Sequence, residues 1–218
     1  MAPVFYYCYD AWCGWCFGFS PVLLQIANTY RDRYPMEVLS GGMILPEQPT
    51  HISAMASYIA SAYKQVEAAT GIRFGADFLW HIHHPDQSDW YPHSEMPAIA
   101  LCIFKEAFPD LQAQFASDLQ TVLHVEGRDL TDPEAYRHLL EKYGLAPAPF
   151  FDKLKSDEYK EKAYYEFALC KQLQVTGFPT LFLQTGEQKL YLLSRGFSPF
   201  ETIQERILSV EREINSQG

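Results

Sequence analysis

The sequence predicts an α/β fold in which a large all-helical segment separates the second strand from the third. Strand-like apolar runs occur only near the two ends of the chain, and amphipathic, Ala-rich segments fill the middle. A Cys-x-x-Cys pair, Cys13 and Cys16, directly follows the first apolar run. We therefore expect residues 1–48 and 166–218 to form one α/β domain, with residues 49–165 inserted as a helical domain.

The first elements are read from residue type and spacing. Val4 to Tyr9 is an apolar run rich in aromatic residues, typical of a strand buried on both faces. Apolar side chains then recur at helical spacing, which predicts a helix from Cys13 to Tyr34 with a kink near Pro21. A second strand is expected at Glu37 to Ser40, ended by the two glycines at positions 41 and 42.

The middle of the chain shows no alternation typical of strands. Its amphipathic segments, several of which begin with a capping Ser, Thr or Asp, predict helices at His51–Ala69, Pro97–Glu106, Asp110–Val125, Pro133–Tyr143 and Ser156–Leu173.

The end of the chain returns to strands. Thr180 to Gln184 and Leu190 to Ser194 flank the turn-rich residues 185–188, which predicts a hairpin. A last helix is expected after it, with Ser198 as the N-cap and Pro199 at the first helical position.

Composition limits the classes of function. The 218 residues are 48% apolar and 15% aromatic, which is enough for a sizeable core. The net charge of −10 argues against nucleic-acid and anionic-membrane partners, because both bind clustered Lys and Arg. We find no export signal and no apolar run near the roughly 20 residues of a membrane span. Five cysteines are too few for a disulfide-stapled protein, so we expect a cytoplasmic location.

The pair Cys13 and Cys16 is the strongest chemical signal. A helix start places partial positive charge beside the first sulfur, which favours its thiolate form. The second cysteine lies one helical turn away and can attack a mixed disulfide formed by the first. We predict Cys13 as the nucleophile and Cys16 as the resolving thiol. A zinc site is the alternative, but no second Cys-x-x-Cys supplies further ligands.

Residues beside this pair are candidates for substrate binding. Gly14 permits close approach of a substrate chain, and Trp12 and Trp15 offer apolar surface, although Trp12 is equally typical of a core aromatic. Phe178 and Pro179 precede the third strand, and a cis peptide bond before Pro179 is a specific hypothesis.

The remaining cysteines and a group of histidines have simpler interpretations. Cys8, Cys102 and Cys170 lie in apolar patterns and are predicted to be core residues. Four histidines fall within 13 residues and are candidate metal ligands, but their spacing matches no helix-borne ligand pair, which favours a polar loop; they are His81, His83, His84 and His93. We therefore predict no metal site.

The sequence resembles the DsbA-like branch of the thioredoxin superfamily, in particular its cytoplasmic group of predicted protein disulfide isomerases. The segments that carry the resemblance run in order along nearly the whole chain: residues 12–21 (WCGWCFGFSP), 41–42 (GG), 126–131 (EGRDLT) and 176–181 (TGFPTL). The first and last of these are specific on their own.

The resemblance implies a thioredoxin-like fold for residues 1–48 and 166–218, interrupted by the helical domain at 49–165. It also implies that Pro179 is cis and faces the cysteine pair, and that the Phe178 backbone pairs with an extended substrate. DsbA itself is periplasmic and has Pro-His where this chain has Gly14-Trp15. An oxidising role therefore does not carry over, and we hypothesise a reductase or isomerase.

The sequence thus predicts an enzyme that exchanges protein or small-molecule disulfides through its CGWC pair. It needs no bound cofactor, although glutathione is a candidate co-substrate. One alternative is a glutathione-dependent transferase or isomerase of the kappa type, whose members generally lack an equivalent of Cys16. Another is a non-catalytic peptide-binding module.

Overall fold

A computed structural model describes residues 3–47, 49–186 and 189–217. Four strands form one mixed sheet in the order β2-β1-β3-β4. β1 runs parallel to β2 and antiparallel to β3, which is antiparallel to β4. The strands span Val4–Tyr9 (β1), Met36–Ser40 (β2), Thr180–Gln184 (β3) and Leu190–Arg195 (β4). Because both ends of the chain meet in this sheet and only helices occur between β2 and β3 in the described residues, the predicted fold is confirmed.

Helices account for most of the remaining chain. Their bounds are Gly14–Tyr30 (α1), Ser53–Thr70 (α2), Ala76–His83 (α3), Glu95–Ala107 (α4), Gln112–His124 (α5), Arg137–Tyr143 (α6), Pro147–Leu154 (α7), Asp157–Gln172 (α8) and Phe200–Gln217 (α9). Short 3₁₀ turns precede α5 and α6, at residues 109–111 and 133–136.

The helix boundaries correct several sequence predictions. α3 and α7 are helices of eight residues each that the sequence did not predict. α1 passes through Pro21 and ends at Tyr30, four residues before the predicted end, because the chain turns there to enter β2. α9 begins at Phe200, one residue after Pro199, the predicted first helical position. The hydroxyl of Ser198, the predicted N-cap, accepts a hydrogen bond from the Ser194 hydroxyl at 3.0 Å.

Side chains of β1 point alternately into two hydrophobic clusters, one on each face of the strand. Phe5, Tyr7 and Tyr9 face the main hydrophobic core, which contains the buried faces of α1 and α9. Cys8 points to the opposite face, into a smaller cluster that includes Cys170 of α8. This alternation is the period of a strand, and β1 is accordingly buried on both faces toward its end, as predicted.

The edge strand β2 is covered by polar side chains of the helical segment. The Val38 amide donates to Gln112 Oε1 at 3.0 Å, and the Ser40 amide donates to Glu166 Oε2 at 2.9 Å. Lys105 contacts the Val38 carbonyl and lies 2.6 Å from Glu166 Oε1. These contacts satisfy backbone groups that an open sheet edge would expose, so α4, α5 and α8 are fixed against the sheet.

Two sequence predictions stay predictions. The division into domains at 48/49 and 165/166 is one, and α8 runs continuously through the second of these boundaries. The hairpin turn at 185–188 is the other, because residues 187 and 188 lie outside the described residues. Among the described residues, no helix has the length and apolar character that crossing a bilayer requires.

Candidate active site

Cys13 occupies the N-cap of α1. Its backbone is extended (φ −79°, ψ 108°), and its sulfur accepts a hydrogen bond from the Cys16 amide at 3.3 Å. An anionic sulfur at this position receives both this bond and the partial positive charge of the helix start. Cys13 is 7% exposed, so its sulfur is partly shielded but still lies at a cavity surface.

Cys16 lies one turn further into α1 and is fully buried. Burial raises its pKa well above the ordinary value of a thiol, and the neighbouring Cys13 sulfur raises it further. Both cysteines are free thiols in this structure. The pair therefore consists of one sulfur at a helix start and one fully buried sulfur behind it, and the roles of nucleophile and resolving thiol stay predictions.

Phe178 and Pro179 form a segment that lies beside Cys13. The Phe178 carbonyl oxygen is 3.5 Å from Cys13 Sγ, and the peptide bond between Phe178 and Pro179 is cis. Pro179 and Thr180 are buried, while Phe178 is half-buried. A side chain at Gly41 would overlap the Phe178 ring, so the glycine that ends β2 makes room for this segment.

Asp10 is a buried carboxylate directly before the motif. One oxygen accepts hydrogen bonds from the Trp12 amide at 3.0 Å and from the Ser94 hydroxyl at 2.9 Å. The other accepts from the Met43 amide at 2.7 Å. Burial raises the pKa of Asp10, and these donors oppose that shift. Asp10 thus ties the loop before Cys13 to the chain that leaves β2 and to the start of α4.

Gln120 of α5 holds the same loop from the helical segment. Its side-chain amide donates to the Asp10 carbonyl at 3.3 Å and to the Cys13 carbonyl at 3.4 Å. Its oxygen accepts from the Ser20 hydroxyl at 2.8 Å. A single buried side chain therefore bridges the backbone before Cys13 and helix α1 after it.

A cavity of about 280 Å³ opens beside Cys13 between the start of α1 and helix α2. Trp12 and Trp15 both contribute to it, but in different ways. The Trp12 ring is buried and donates from Nε1 to the His93 carbonyl at 3.0 Å, whereas Trp15 is half-buried. The full lining is Trp12, Cys13, Gly14, Trp15, Met43, Ile44, Met55, Tyr58, Ile59, Ala62, Tyr63, Val66, Phe74, Phe78 and His124.

The lining of this cavity carries no charged side chain among the described residues. His124 is its one imidazole, and it is 2% exposed between the rings of Phe17, Phe74 and Phe78. Burial lowers the pKa of His124 to about 3, an effect that the nearby Ala11 backbone only partly opposes. Neither ring nitrogen has a partner of hydrogen-bonding geometry in the described part of the chain. His124 is therefore neutral near pH 7.

The histidine group at 81–93 forms separate contacts. His81 stacks on Trp90 with ring centroids 3.8 Å apart and bonds the Ser88 hydroxyl at 2.8 Å. His84 stacks on Trp80, and His83 lies beside Tyr63. Within residues 3–47, 49–186 and 189–217, no three His, Cys, Asp or Glu side chains are arranged to hold a metal ion.

The other cysteines are buried away from the cavity. Cys102 donates to Glu166 Oε1 at 3.4 Å, and Cys170 donates to the Ser40 carbonyl at 3.5 Å. The Cys8 side chain, more than burial, raises the pKa of Cys170. All three are core residues, as their apolar patterns predicted.

The structure brings all the predicted site residues together and adds two that the sequence analysis missed. Asp10 had a visible signal, an acidic residue between an apolar strand and the cysteine pair. Gln120 had none, because nothing in a polar residue on an amphipathic helix indicates contact with a carbonyl 107 positions away.

A four-stranded sheet with a Cys-x-x-Cys pair at the start of a helix and a proline opposite it defines the class of thioredoxin-fold proteins. The chain belongs to the DSBA-like thioredoxin domain family, whose model matches residues 5–208. The resemblance inferred from the motifs is thereby confirmed. No curated protein matches the chain in a sequence comparison.

Solved structures with the same fold cover nearly the whole chain. A protein from Nitrosomonas europaea with a provisional assignment as a protein disulfide isomerase has 22% identity and a TM-score of 0.84, over 98% of this chain and 99% of its own. The cytosolic disulfide reductase DsbM from Pseudomonas aeruginosa has 23% identity and a TM-score of 0.76, over 95% and 98%. DsbM has also been solved with glutathione, with 24% identity, a TM-score of 0.72, and 95% and 99% coverage.

Proposed function

We propose that this protein is a thiol–disulfide oxidoreductase or disulfide isomerase that works by dithiol–disulfide exchange through Cys13 and Cys16. The observation that carries the proposal is the position of the Cys13 sulfur, which accepts the Cys16 amide hydrogen at the start of α1 and lies 3.5 Å from the Phe178 carbonyl. The chain also belongs to the DSBA-like thioredoxin domain family, which supports disulfide exchange as the reaction at this site.

The reaction proceeds in two exchanges. The Cys13 thiolate attacks a substrate disulfide, forming a mixed disulfide and releasing one substrate thiolate. Cys16 then attacks the Cys13 sulfur and passes its proton to the second departing substrate thiolate. The products are a Cys13–Cys16 disulfide and a reduced substrate, and the reverse sequence oxidises a dithiol.

Substrate binding is proposed at two surfaces beside Cys13. The Phe178 backbone, next to Pro179, offers hydrogen-bonding groups to an extended segment that brings its disulfide to Cys13. Gly14 and Trp15, with the cavity between Trp12 and α2, accept apolar groups flanking that disulfide. The uncharged lining favours an apolar protein segment over a charged small molecule.

The direction of exchange is proposed to be reductive or isomerising, in the cytoplasm and without a bound cofactor. Glutathione is proposed as a co-substrate that re-reduces the Cys13–Cys16 disulfide. The similarity to a cytosolic disulfide reductase, a protein also solved with glutathione, supports this direction.

Single-cysteine variants test the proposal. Cys13→Ser should abolish the reduction of a peptide disulfide, and Cys16→Ser should accumulate a mixed disulfide at Cys13 that mass spectrometry detects. Cys102→Ser is the matched control, because Cys102 is buried, does not line the cavity, and makes a contact with Glu166 that serine can keep. Full activity in Cys13→Ser would rule the proposal out.

Further cysteine variants separate the alternatives. Glutathione conjugation that persists in Cys16→Ala would favour a glutathione-dependent transferase or isomerase. Peptide binding that persists after replacement of both cysteines, with no exchange in the unmodified protein, would favour a binding module.

A further inference from the structure

Gln120 is a buried amide of α5 that holds two backbone carbonyls beside Cys13. It is 1% exposed, and its Nε2 atom donates to the Asp10 carbonyl at 3.3 Å and to the Cys13 carbonyl at 3.4 Å. Its Oε1 atom accepts a hydrogen bond from the Ser20 hydroxyl at 2.8 Å. Because only the nitrogen end of an amide can donate to carbonyl oxygens, these partners fix the orientation of the side chain.

The two carbonyls lie at the two ends of the turn that leads into α1. The Asp10 carbonyl also accepts from the Cys13 amide at 3.1 Å, which closes the turn. The Cys13 carbonyl also accepts from the Phe17 amide at 3.1 Å, which is the first hydrogen bond of the helix. Gln120 therefore joins the turn to the start of α1, where the Cys16 amide donates to the Cys13 sulfur at 3.3 Å.

These contacts of Gln120 matter most when the Cys13 sulfur is an anion. A carbonyl oxygen carries partial negative charge, so carbonyls close to the sulfur disfavour a thiolate there. The amide hydrogens of Gln120 offset that charge, and the turn that they hold keeps the Cys16 amide directed at the sulfur. The Cys13–Cys16 disulfide contains no anion and therefore gains less from both effects.

We infer that Gln120 is a positioning residue for Cys13, which stabilises the dithiol form of the pair over the disulfide by holding the Asp10 and Cys13 carbonyls. A helix between β2 and β3 thereby sets the redox equilibrium of a pair on α1. The inference rests on the proposed function, since only a redox-active pair passes between the two forms.

Equilibration with glutathione tests this role. The protein dithiol reacts with glutathione disulfide to give the Cys13–Cys16 disulfide and two molecules of glutathione. One glutathione S–S bond breaks and one protein S–S bond forms, while two electrons and the two thiol protons pass to glutathione. In Gln120→Met, which is close in volume but has no amide, we expect the equilibrium constant to move about tenfold toward the protein disulfide, because a hydrogen bond to a charged group is weakened. This change lowers the reduction potential by about 30 mV.

Gln114→Met is the matched control. Gln114 is on the same helix, but its side chain bonds Asp118 at 3.0 Å and does not reach the Cys13 loop. Its equilibrium constant should stay within about twofold of the unmodified protein. A residue that only stabilised the fold would act on both redox forms alike, so urea unfolding of Gln120→Met could change while the redox equilibrium did not.

Gln120→Asn is measured in place of Gln120→Met if circular dichroism shows that the latter does not fold. Its shorter amide cannot bond both carbonyls from the same backbone position, so a shift in the same direction is expected. An unchanged equilibrium constant, or a shift toward the dithiol, would overturn the inference. Absence of a Cys13–Cys16 disulfide in the unmodified protein at every glutathione ratio would instead overturn the proposed function, and this inference with it.

Discussion

Phe178 reaches Cys13 because Gly41 has no side chain. The ring of Phe178 occupies the space where a Cβ at position 41 would lie, although the two residues are 137 positions apart in the chain. The end of β2 and the entry to β3 thus meet at the candidate active site, and the carbonyl oxygen of Phe178 is held 3.5 Å from the Cys13 sulfur.

Gly41→Ala should displace Phe178 and slow disulfide exchange about tenfold, because small displacements of a positioning group are costly in catalysis. Gly177→Ala is the matched control, since a Cβ at position 177 meets nothing within 4 Å. Steady-state reduction of a peptide disulfide by both variants measures the effect. Equal rates in the two variants would show that the Phe178 position is unimportant for exchange.

The chemistry at residue scale was predictable only where it is local in sequence. The Cys13–Cys16 pair and the Phe178-Pro179 segment are short motifs with a mechanism, and they could be found by spacing. The side chain that holds the loop before Cys13 could not be found in this way, because Gln120 acts through contacts that exist only after α5 packs against α1.

At the scale of elements, helix α2 forms the wall of the cavity that faces Cys13. Ile59, Ala62 and Val66 recur on one side of this helix and line the cavity, whereas Ala68 lies on its exposed side. The helical segment therefore forms part of the candidate active site and contributes the surface on which we propose that apolar substrate groups dock.

Ala62→Trp should fill the cavity and lower kcat/KM for a peptide disulfide flanked by phenylalanine about tenfold, since burial of such a ring is lost. Reduction of glutathione disulfide should change less than about threefold, because its charged groups gain little from an apolar wall. Ala68→Trp places the same residue on the exposed side and should behave as the unmodified protein. Equal loss for both substrates in Ala62→Trp would contradict an apolar docking role.

Element prediction succeeded where periodicity was long and failed where it was short. α2, α4 and α8 each extend over several turns, and their apolar spacing was sufficient to predict them. α3 and α7 are eight residues long, too short for a periodic signal to emerge, and their stability comes from packing. The 3₁₀ turns before α5 and α6 were likewise read as parts of those helices.

At the scale of the whole molecule, His124 lines the cavity and also makes the stability of the fold depend on pH. It lies where α1, α3 and α5 meet, among the aromatic rings of Phe17, Phe74 and Phe78. The fold keeps its imidazole neutral at a pH where an unfolded histidine is protonated, because its pKa falls to about 3.

The sign of the resulting pH dependence follows from this difference. The unfolded chain binds a proton at His124 as the pH falls below about 6.5, while the folded chain binds none until about pH 3. The contribution of His124 to the free energy of unfolding is therefore fully present above about pH 6.5 and is lost progressively as the pH falls toward 3.

Urea unfolding of the unmodified protein and of His124→Phe, at pH 7.5 and pH 5.0, measures the contribution of this group. The loss of unfolding free energy between the two pH values should be smaller in His124→Phe by about 2 kcal/mol. Comparing the two proteins at each pH cancels the contributions of the other titrating groups. The same pH dependence in both would mean that His124 is protonated without cost in the folded protein.

The redox equilibrium of the Cys13–Cys16 couple with glutathione tests the central claim most directly. Purified protein is equilibrated over a range of glutathione ratios, quenched by alkylation, and the fraction of disulfide is measured by mass spectrometry. We predict a Cys13–Cys16 disulfide in equilibrium with a reduction potential at or below about −180 mV, as suits a reductase or an isomerase. A pair that forms no disulfide at any ratio, or one with a potential near the oxidising value of about −120 mV, would contradict this account.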